Sequence, residues 1–196
     1  MTIQELKHQL LILSNLYYIG EENLEINDDV IEVIANRALS IYNQYRNKDL
    51  IVKQYIPSGI SDFSKIIDED GNERDVFNVK NIFITPPYLN DKPVTFHWSF
   101  DRQTKKLMSQ VSGHFYIEVL AANILKDINP NQDKEFIDIC LGLYLQAAVE
   151  PFKGFNLTEL PFENDGSELY EQGKELVENA IEKLSETDSN WYLAIG

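Results

Sequence analysis

Two histidines and one aspartate near the middle of the chain are the residues best suited by type to catalysis. His97 and Asp101 lie four positions apart in a segment of alternating apolar and polar residues, so one continuous strand would carry both on the same face. His114 would reach them from the following strand. Two imidazoles and a carboxylate can ligate a divalent metal, which would make the protein a small metal-dependent hydrolase or nuclease.

The spacing of these three residues is not specific to a metal site. A histidine next to a tryptophan on a sheet more often faces solvent or completes a hydrogen bond. The chain also lacks a P-loop, a glycine-rich dinucleotide turn, a nucleophile elbow and the ligand spacing of a zinc site. The metal-dependent hydrolase or nuclease is therefore the alternative prediction. The leading prediction is a protein without catalytic residues, metal or cofactor.

A second cluster of oxygen-bearing side chains fails as a calcium site. Asp68, Asp70 and Asn72 match the first three ligand positions of an EF-hand loop, but Gly71 falls at the fourth position instead of the sixth. Val79 occupies the twelfth position, where the loop needs a glutamate. The Asp-Gly and Gly-Asn pairs favour the positive φ angles of tight turns, so we expect residues 68–73 to join two strands.

The single cysteine is predicted to be structural. Cys140 lies in the apolar run 136–141, and a lone cysteine cannot form an intramolecular disulfide. No neighbouring base is present in the sequence to activate it. A buried, unreactive thiol is the expected state.

Charge is the strongest departure from an average composition. The chain has 32 acidic and 17 basic residues and a formal net charge of −15. Such a surface repels phosphate backbones and anionic lipid, which argues against direct binding to nucleic acid or to a membrane and favours a basic protein partner. The charge is uneven, because residues 131–196 contain 14 acidic and four basic side chains.

Many of these acidic residues fall on one predicted helix near the C-terminus. A row of carboxylates on a rigid helix would complement an Arg/Lys-rich groove and accelerate encounter by electrostatic steering. Nucleic-acid enzymes have such grooves, so an inhibitor of the immunity-protein or anti-nuclease, anti-defence type fits the pattern. The predicted partner-binding residues are Glu168, Glu171, Glu175, Glu178, Glu182 and Glu186.

Two other interpretations of the acidic helix stay open. The same glutamates would also arise on a solvated face that only keeps the protein soluble. A third prediction is an adaptor or assembly subunit that binds its partner through an apolar patch and not through charge.

Most aromatic residues of the central region are predicted to belong to the core and not to line a ligand pocket, because they alternate with polar residues along strands. These residues are Phe83, Phe96, Trp98, Phe100, Phe115 and Tyr116. Pro86, Pro87 and Tyr88 are the better candidates for an exposed contact loop.

The chain that positions these residues is predicted to be one α+β domain, residues 1–196, with a small antiparallel sheet from the central region packed against N-terminal and C-terminal helices. Thr2 and Glu5 form a capping box at the start of the first helix. The other predicted helices run from Asn27 or Asp28 to about Asn47, from about Gln132 to Val149, and from about Ser167 to Ser185.

The strand predictions follow from short alternating or β-branched runs between turn residues. They are Leu50–Ile56, strands flanking residues 68–73, Asn81–Thr85, Val94–Phe100 joined through a turn at Asp101–Thr104 to Lys105–Val111, and Trp191–Ile195. The segment Gly113–Leu125 is predicted to be strand before Glu118 and helix after it.

The first residues favour a cytoplasmic protein. Met1–Glu5 lacks the basic region of a signal peptide, and Leu10–Leu13 is too short to span a bilayer. The abundance of asparagine, isoleucine, lysine and tyrosine suits an AT-rich bacterial or phage genome.

Overall fold

A computed structural model describes residues 1–14, 28–90, 92–149 and 166–193. The chain divides into two compact units. The helical unit combines residues 1–46 with residues 124–196, and the strand unit consists of Asn47–Asn123. Each unit has its own cluster of buried apolar residues. The predicted α+β class is confirmed.

Four α-helices and one 3₁₀ turn occur in the described part of the helical unit. They are α1 (Ile3–Leu13), α2 (Asp28–Tyr42), the 3₁₀ turn Leu125–Asp127, α3 (Lys134–Val149) and α4 (Gly166–Leu193). The predicted capping box is present at α1, since Thr2 Oγ1 accepts the Glu5 backbone N–H and Glu5 Oε2 accepts the Thr2 N–H at 2.7 Å. Leu6 and Leu10 then turn into the core.

Helix α3 is the apolar centre of the helical unit. Phe136, Ile139 and Tyr144 are almost completely buried, and helices α1, α2 and α4 contribute residues to the same cluster. Cys140 is fully buried on α3, as predicted, and burial raises the pKa of its thiol. A neutral thiol in this setting acts as a small apolar side chain.

Helices α3 and α4 touch through their backbones at two glycines. A Cβ added to Gly173 would lie 2.6 Å from the carbonyl oxygen of Gly142, and a Cβ added to Gly142 would overlap the carbonyl oxygen of Gly173. Neither distance leaves room for a carbon atom beside an oxygen. Both positions therefore need glycine for a steric reason, although glycine lowers the intrinsic stability of each helix.

The strand unit contains two antiparallel sheets. The strands are β1 (Lys48–Ile56), β2 (Gly59–Asp62), β3 (Lys65–Ile67), β4 (Glu73–Phe83), β5 (Trp98–Asp101), β6 (Lys106–Ser109) and β7 (Gly113–Ala121). Their order is β1-β7-β4-β3 in one sheet and β2-β6-β5 in the other. One core joins the two sheets, because Ile117 and Val119 from the first cluster with Leu107 from the second.

The turn between β3 and β4 is organised by a buried carboxylate. Asp68 accepts the backbone N–H groups of Asp70 and Asn72 and, at 2.6 Å, the Nε–H of Arg74. Gly71 has a φ of +83°, as a tight turn requires. The predicted hairpin is confirmed, and the resemblance to a calcium loop is explained, because these side chains serve the turn itself.

The ion pair of this turn is well shielded from water. The side chains of Arg74 and Asp68 are 2% and 7% exposed, and Arg74 Nη1 also donates to the carbonyl of Ala122. Burial tends to raise the pKa of Asp68, but hydrogen bonds from Asn72 and Arg74 and the charge of Arg74 outweigh it and hold the pKa well below its usual value. The folded state therefore favours the ionised carboxylate.

Three strand predictions are corrected. Residues 94–97 lie outside the strands and only Trp98–Asp101 forms β5. The alternating side chains pack on the core, but the backbone of this stretch makes isolated hydrogen bonds, from Val94 N–H to Ile82 O and from Gln110 N–H to His97 O, and not a strand ladder. The predicted helix after Glu118 is wrong, since β7 runs to Ala121. β7 is paired on both edges, and that pairing outweighs the helix propensity of Leu-Ala-Ala.

The third correction concerns the C-terminus. The predicted strand Trp191–Ile195 is wrong as far as the described residues reach, because α4 continues to Leu193. Residues 186–193 contain neither proline nor glycine, so nothing local ends the helix at Ser185. Ala194 and Ile195 lie outside the described residues.

We expect Gly173→Ala to lower the free energy of unfolding by about 1–3 kcal/mol, because the methyl group would separate α3 from α4. On an exposed helix the same change would stabilise by up to about 1 kcal/mol. Asn179→Ala on the exposed side of α4 is the control and should be neutral or stabilising. Urea unfolding followed by circular dichroism measures both, and a Gly173→Ala variant at least as stable as the parent would contradict the steric account.

We expect Asp68→Asn to lower the free energy of unfolding by about 3 kcal/mol at pH 7, because the buried guanidinium of Arg74 would lose the ionised carboxylate that pairs with it. Because the pKa of Asp68 is lower in the folded state than in the unfolded state, the ionised carboxylate stabilises the folded protein at pH values above the unfolded pKa of about 3.9. This stabilisation is lost progressively as the pH falls below that value. The difference in the free energy of unfolding between the parent and Asp68→Asn should therefore decrease below about pH 4.

The control for this change is Glu73→Gln. Glu73 pairs with Lys65 in the same hairpin, but both side chains are more than half exposed, so its loss should cost less than about 1 kcal/mol. Urea unfolding at a series of pH values distinguishes the two variants. A difference for Asp68→Asn that does not depend on pH would contradict the role of the ionised carboxylate.

Candidate interaction surfaces

The six glutamates predicted to bind a partner form one continuous row on α4. All six side chains are exposed in the structure. With about 100° of rotation and 1.5 Å of rise per residue, they occupy an arc of about 80° and a length of about 27 Å. We call Glu168, Glu171, Glu175, Glu178, Glu182 and Glu186 the acidic face.

The packing of α4 decides where the acidic face points. Leu169, Ala180 and Leu184 are buried, and the glycine contact at Gly173 lies in the same arc of the helix. This buried arc is centred about half a turn around the helix axis from the glutamates. The contact with α3 therefore directs the acidic face away from the core of its own unit.

The acidic face opposes the stability of the helix that carries it. Successive glutamates are separated by three or four residues, which places five like-charged pairs side by side. Each such pair costs an isolated helix about 0.2–0.5 kcal/mol. The two exposed lysines in this part of α4, Lys174 and Lys183, lie on either side of the row and do not interrupt it. Apolar packing on α3 must offset the repulsion.

The acidic residues between α3 and α4 that extend this charge in the sequence lie outside the described residues. They include Glu159, Glu163 and Asp165.

The alternative catalytic residues serve other purposes in the structure. Asp101 ends β5, and its carboxylate accepts the Thr104 hydroxyl at 2.7 Å and the Gln103 N–H at 2.9 Å. The hydrogen bond from the Thr104 side chain, followed by the backbone hydrogen bonds, lowers the pKa of Asp101. The predicted turn from β5 to β6 is confirmed, and Asp101 is the residue that caps it.

The two histidines do not complete a metal site with Asp101. His114 lies on β7 with its ring 5.3 Å from that of Tyr55 on β1. His97 precedes β5 and contributes its carbonyl oxygen to a hydrogen bond from the Gln110 N–H. Among the described residues, no three or more His, Cys, Asp or Glu side chains are placed to hold a metal. The geometry gives the hydrolase alternative no support.

A second surface, which the sequence did not reveal, is a cavity of about 570 Å³ beside β1. We call it the β1 groove. It is lined by Lys48, Asp49, Leu50, Ile51, Val52, Asp68, Glu69, Asp70, Arg74, Pro86, Pro87, Tyr88, Tyr116 and Glu118. Its lining is thus mixed, with apolar, aromatic and mostly acidic side chains.

Two residues of the β1 groove have a distinctive setting. Glu118 is half-buried on β7, and its Oε2 accepts the Asn81 side-chain amide at 2.6 Å. Tyr88 is 85% exposed and Pro86 and Pro87 are partly exposed, and the contact role of residues 86–88 stays a prediction. Among the aromatic residues predicted to be core, Phe83 and Phe115 are buried, whereas Tyr116 lines the groove.

Comparison with known proteins adds no functional assignment. No protein-family model matches the chain, and no curated protein is significantly similar to it. In the described parts of the chain, none of the helices combines the length and the apolar character that crossing a membrane requires.

We expect Glu175→Gln to stabilise the protein by about 0.5 kcal/mol at low salt. The ionic neighbours of Glu175 at three and four positions along α4 are Glu171 and Glu178, both of like charge. The gain should vanish near 1 M salt, where the Debye length is about 3 Å. Urea unfolding at the two salt concentrations tests this, and a destabilised variant at low salt would contradict the repulsion.

Proposed function

We propose that this protein is a non-enzymatic cytoplasmic binding protein that neutralises or inhibits a basic protein partner through the acidic face. The observation that carries the proposal is the placement of six exposed glutamates in one arc of a packed helix. A solvated surface needs charge, but it does not need charge of one sign aligned along a single row.

The physical basis is electrostatic complementarity. A row of carboxylates about 27 Å long matches the scale of a groove that binds several successive phosphates. Carboxylates on a packed helix lose little backbone entropy on binding, and their summed field accelerates encounter with a cationic surface. A partner that normally binds nucleic acid has such a surface, which supports the immunity-protein or anti-nuclease type of inhibitor.

The test uses two variants with the same loss of three negative charges. The first changes Glu171, Glu175 and Glu178 to Gln on the acidic face. The control changes Glu32 and Glu135 to Gln and Asp75 to Asn, which lie on α2, α3 and β4. Because the two variants have the same net charge, a difference in partner binding between them reports the location of the lost charges and not their number.

A photo-crosslinking amino acid at exposed Asn179, beside the acidic face, would capture the partner in extract of the native host. We expect a basic protein whose crosslink falls at least tenfold in the acidic-face variant, survives in the control variant, and weakens between about 50 and 300 mM salt. As a control, the same crosslinking amino acid is placed at Asn36, an exposed residue of α2. This position should not capture the basic partner.

Three results would count against the proposal. They are equal capture by the two variants, capture that does not depend on salt, and no partner captured at Asn179 beyond the yield at Asn36. The first two would favour an adaptor that binds through an apolar patch.

A further inference from the structure

We infer that the β1 groove binds an extended basic peptide segment, which adds to the free edge of β1 as a further strand. The inference rests on the proposed function only in taking the partner to be basic. It concerns a different surface, in the strand unit, and a different mode of recognition.

The first observation is the free edge of β1. β1 pairs with β7 along all nine of its residues, from Lys48 opposite Ala121 to Ile56 opposite Gly113. Its other edge pairs with no strand in the described ranges. A strand of this length at the edge of a sheet presents backbone N–H and C=O groups that another extended chain can complete.

The second observation is that the cavity follows the backbone of β1. Five consecutive residues, Lys48–Val52, line it. Because successive side chains of a strand point to opposite faces, a cavity that touches five in a row contacts β1 along its backbone, and Tyr116 and Glu118 of β7 extend its lining over one face of the sheet. Its volume of about 570 Å³ is in the range of sites that enclose a ligand or a few residues of a peptide.

The third observation is the apolar surface next to this edge. Ile51 is 44% exposed on β1, and Tyr88 is 85% exposed at the rim behind Pro86 and Pro87. Exposed aromatic and aliphatic side chains of this kind are typical anchors of a peptide site. The two prolines restrict the loop, so that less freedom is lost when Tyr88 contacts a ligand.

The charge of the groove selects the occupant. Five carboxylates and two cationic side chains line it. Arg74 pairs with Asp68 and Lys80 pairs with Asp49, and even with Lys80 included the five carboxylates outnumber the three cationic side chains. Glu118 is a half-buried acid of this lining. Its Oε2 accepts the amide of Asn81, and among the described residues no hydrogen bond reaches Oε1. An arginine side chain can donate to Oε1.

The probe is a fluorescent peptide of three Val-Arg repeats, compared with a peptide in which neutral citrulline replaces each arginine. Titration with the full-length protein at about 150 mM salt should show binding of the arginine peptide that is at least tenfold tighter. Alternate backbone amides of β1 should gain protection from hydrogen exchange when the arginine peptide is present, because added-strand hydrogen bonds reach every second residue.

Three variants separate this inference from the proposed function. Glu118→Gln and Tyr88→Ala should each weaken the arginine peptide by about five- to tenfold. The acidic-face variant, with Glu171, Glu175 and Glu178 changed to Gln, should bind it within about twofold of the parent. Conversely, Glu118→Gln should retain the crosslink at Asn179 to more than half of its yield.

The inference is overturned by any of four outcomes. The arginine peptide does not bind at millimolar concentration, the citrulline peptide binds as tightly, the amides of β1 exchange at an unchanged rate in the complex, or the acidic-face variant loses as much affinity as Glu118→Gln. The parent protein and Glu118→Gln are first compared by circular dichroism, and Tyr88→Ala, an exposed change, keeps the test independent of folding.

Discussion

The contact between the backbones of α3 and α4 is the constraint on which the helical unit depends. Gly142 and Gly173 let the two helices meet with no side chain between them. This close approach buries Leu169, Ala180 and Leu184 and, by the same rotation of α4, turns the acidic face outward. The helix therefore tolerates a row of mutually repelling carboxylates because its opposite side is held against an apolar neighbour.

Charge has two distinct physical roles in this protein. In the strand unit, the buried pair of Asp68 and Arg74 is engaged by hydrogen bonds and serves the geometry of one turn. On α4 and at the other acidic residues of the β1 groove, the carboxylates are exposed or half-buried, and their field extends into solvent. The net charge of the chain describes neither role, since it sums groups that stabilise the fold with groups that oppose it.

The interactions between near neighbours in sequence were predictable. The capping box of Thr2 and Glu5, the hairpin at residues 68–73, the turn after Asp101 and the row of glutamates all follow from spacings of a few residues. The incorrect secondary-structure predictions have the opposite cause, namely interactions between residues far apart in sequence. Val94–Phe100 alternates like a strand yet is strand only from Trp98, and Leu120 belongs to β7, because pairing with distant strands outweighs local preference.

The α+β class, the buried Cys140 and the alignment of the glutamates follow from local patterns in the chain, because helical and strand periodicity are local properties. Three other features depend on the folded arrangement: Asp101 and the two histidines have separate roles, glycines 142 and 173 meet, and β1 lies at an edge beside a cavity. These outcomes depend on which distant segments pair and pack. No spacing along the chain encodes that choice directly, since the free energy of pairing is shared among residues far apart in sequence.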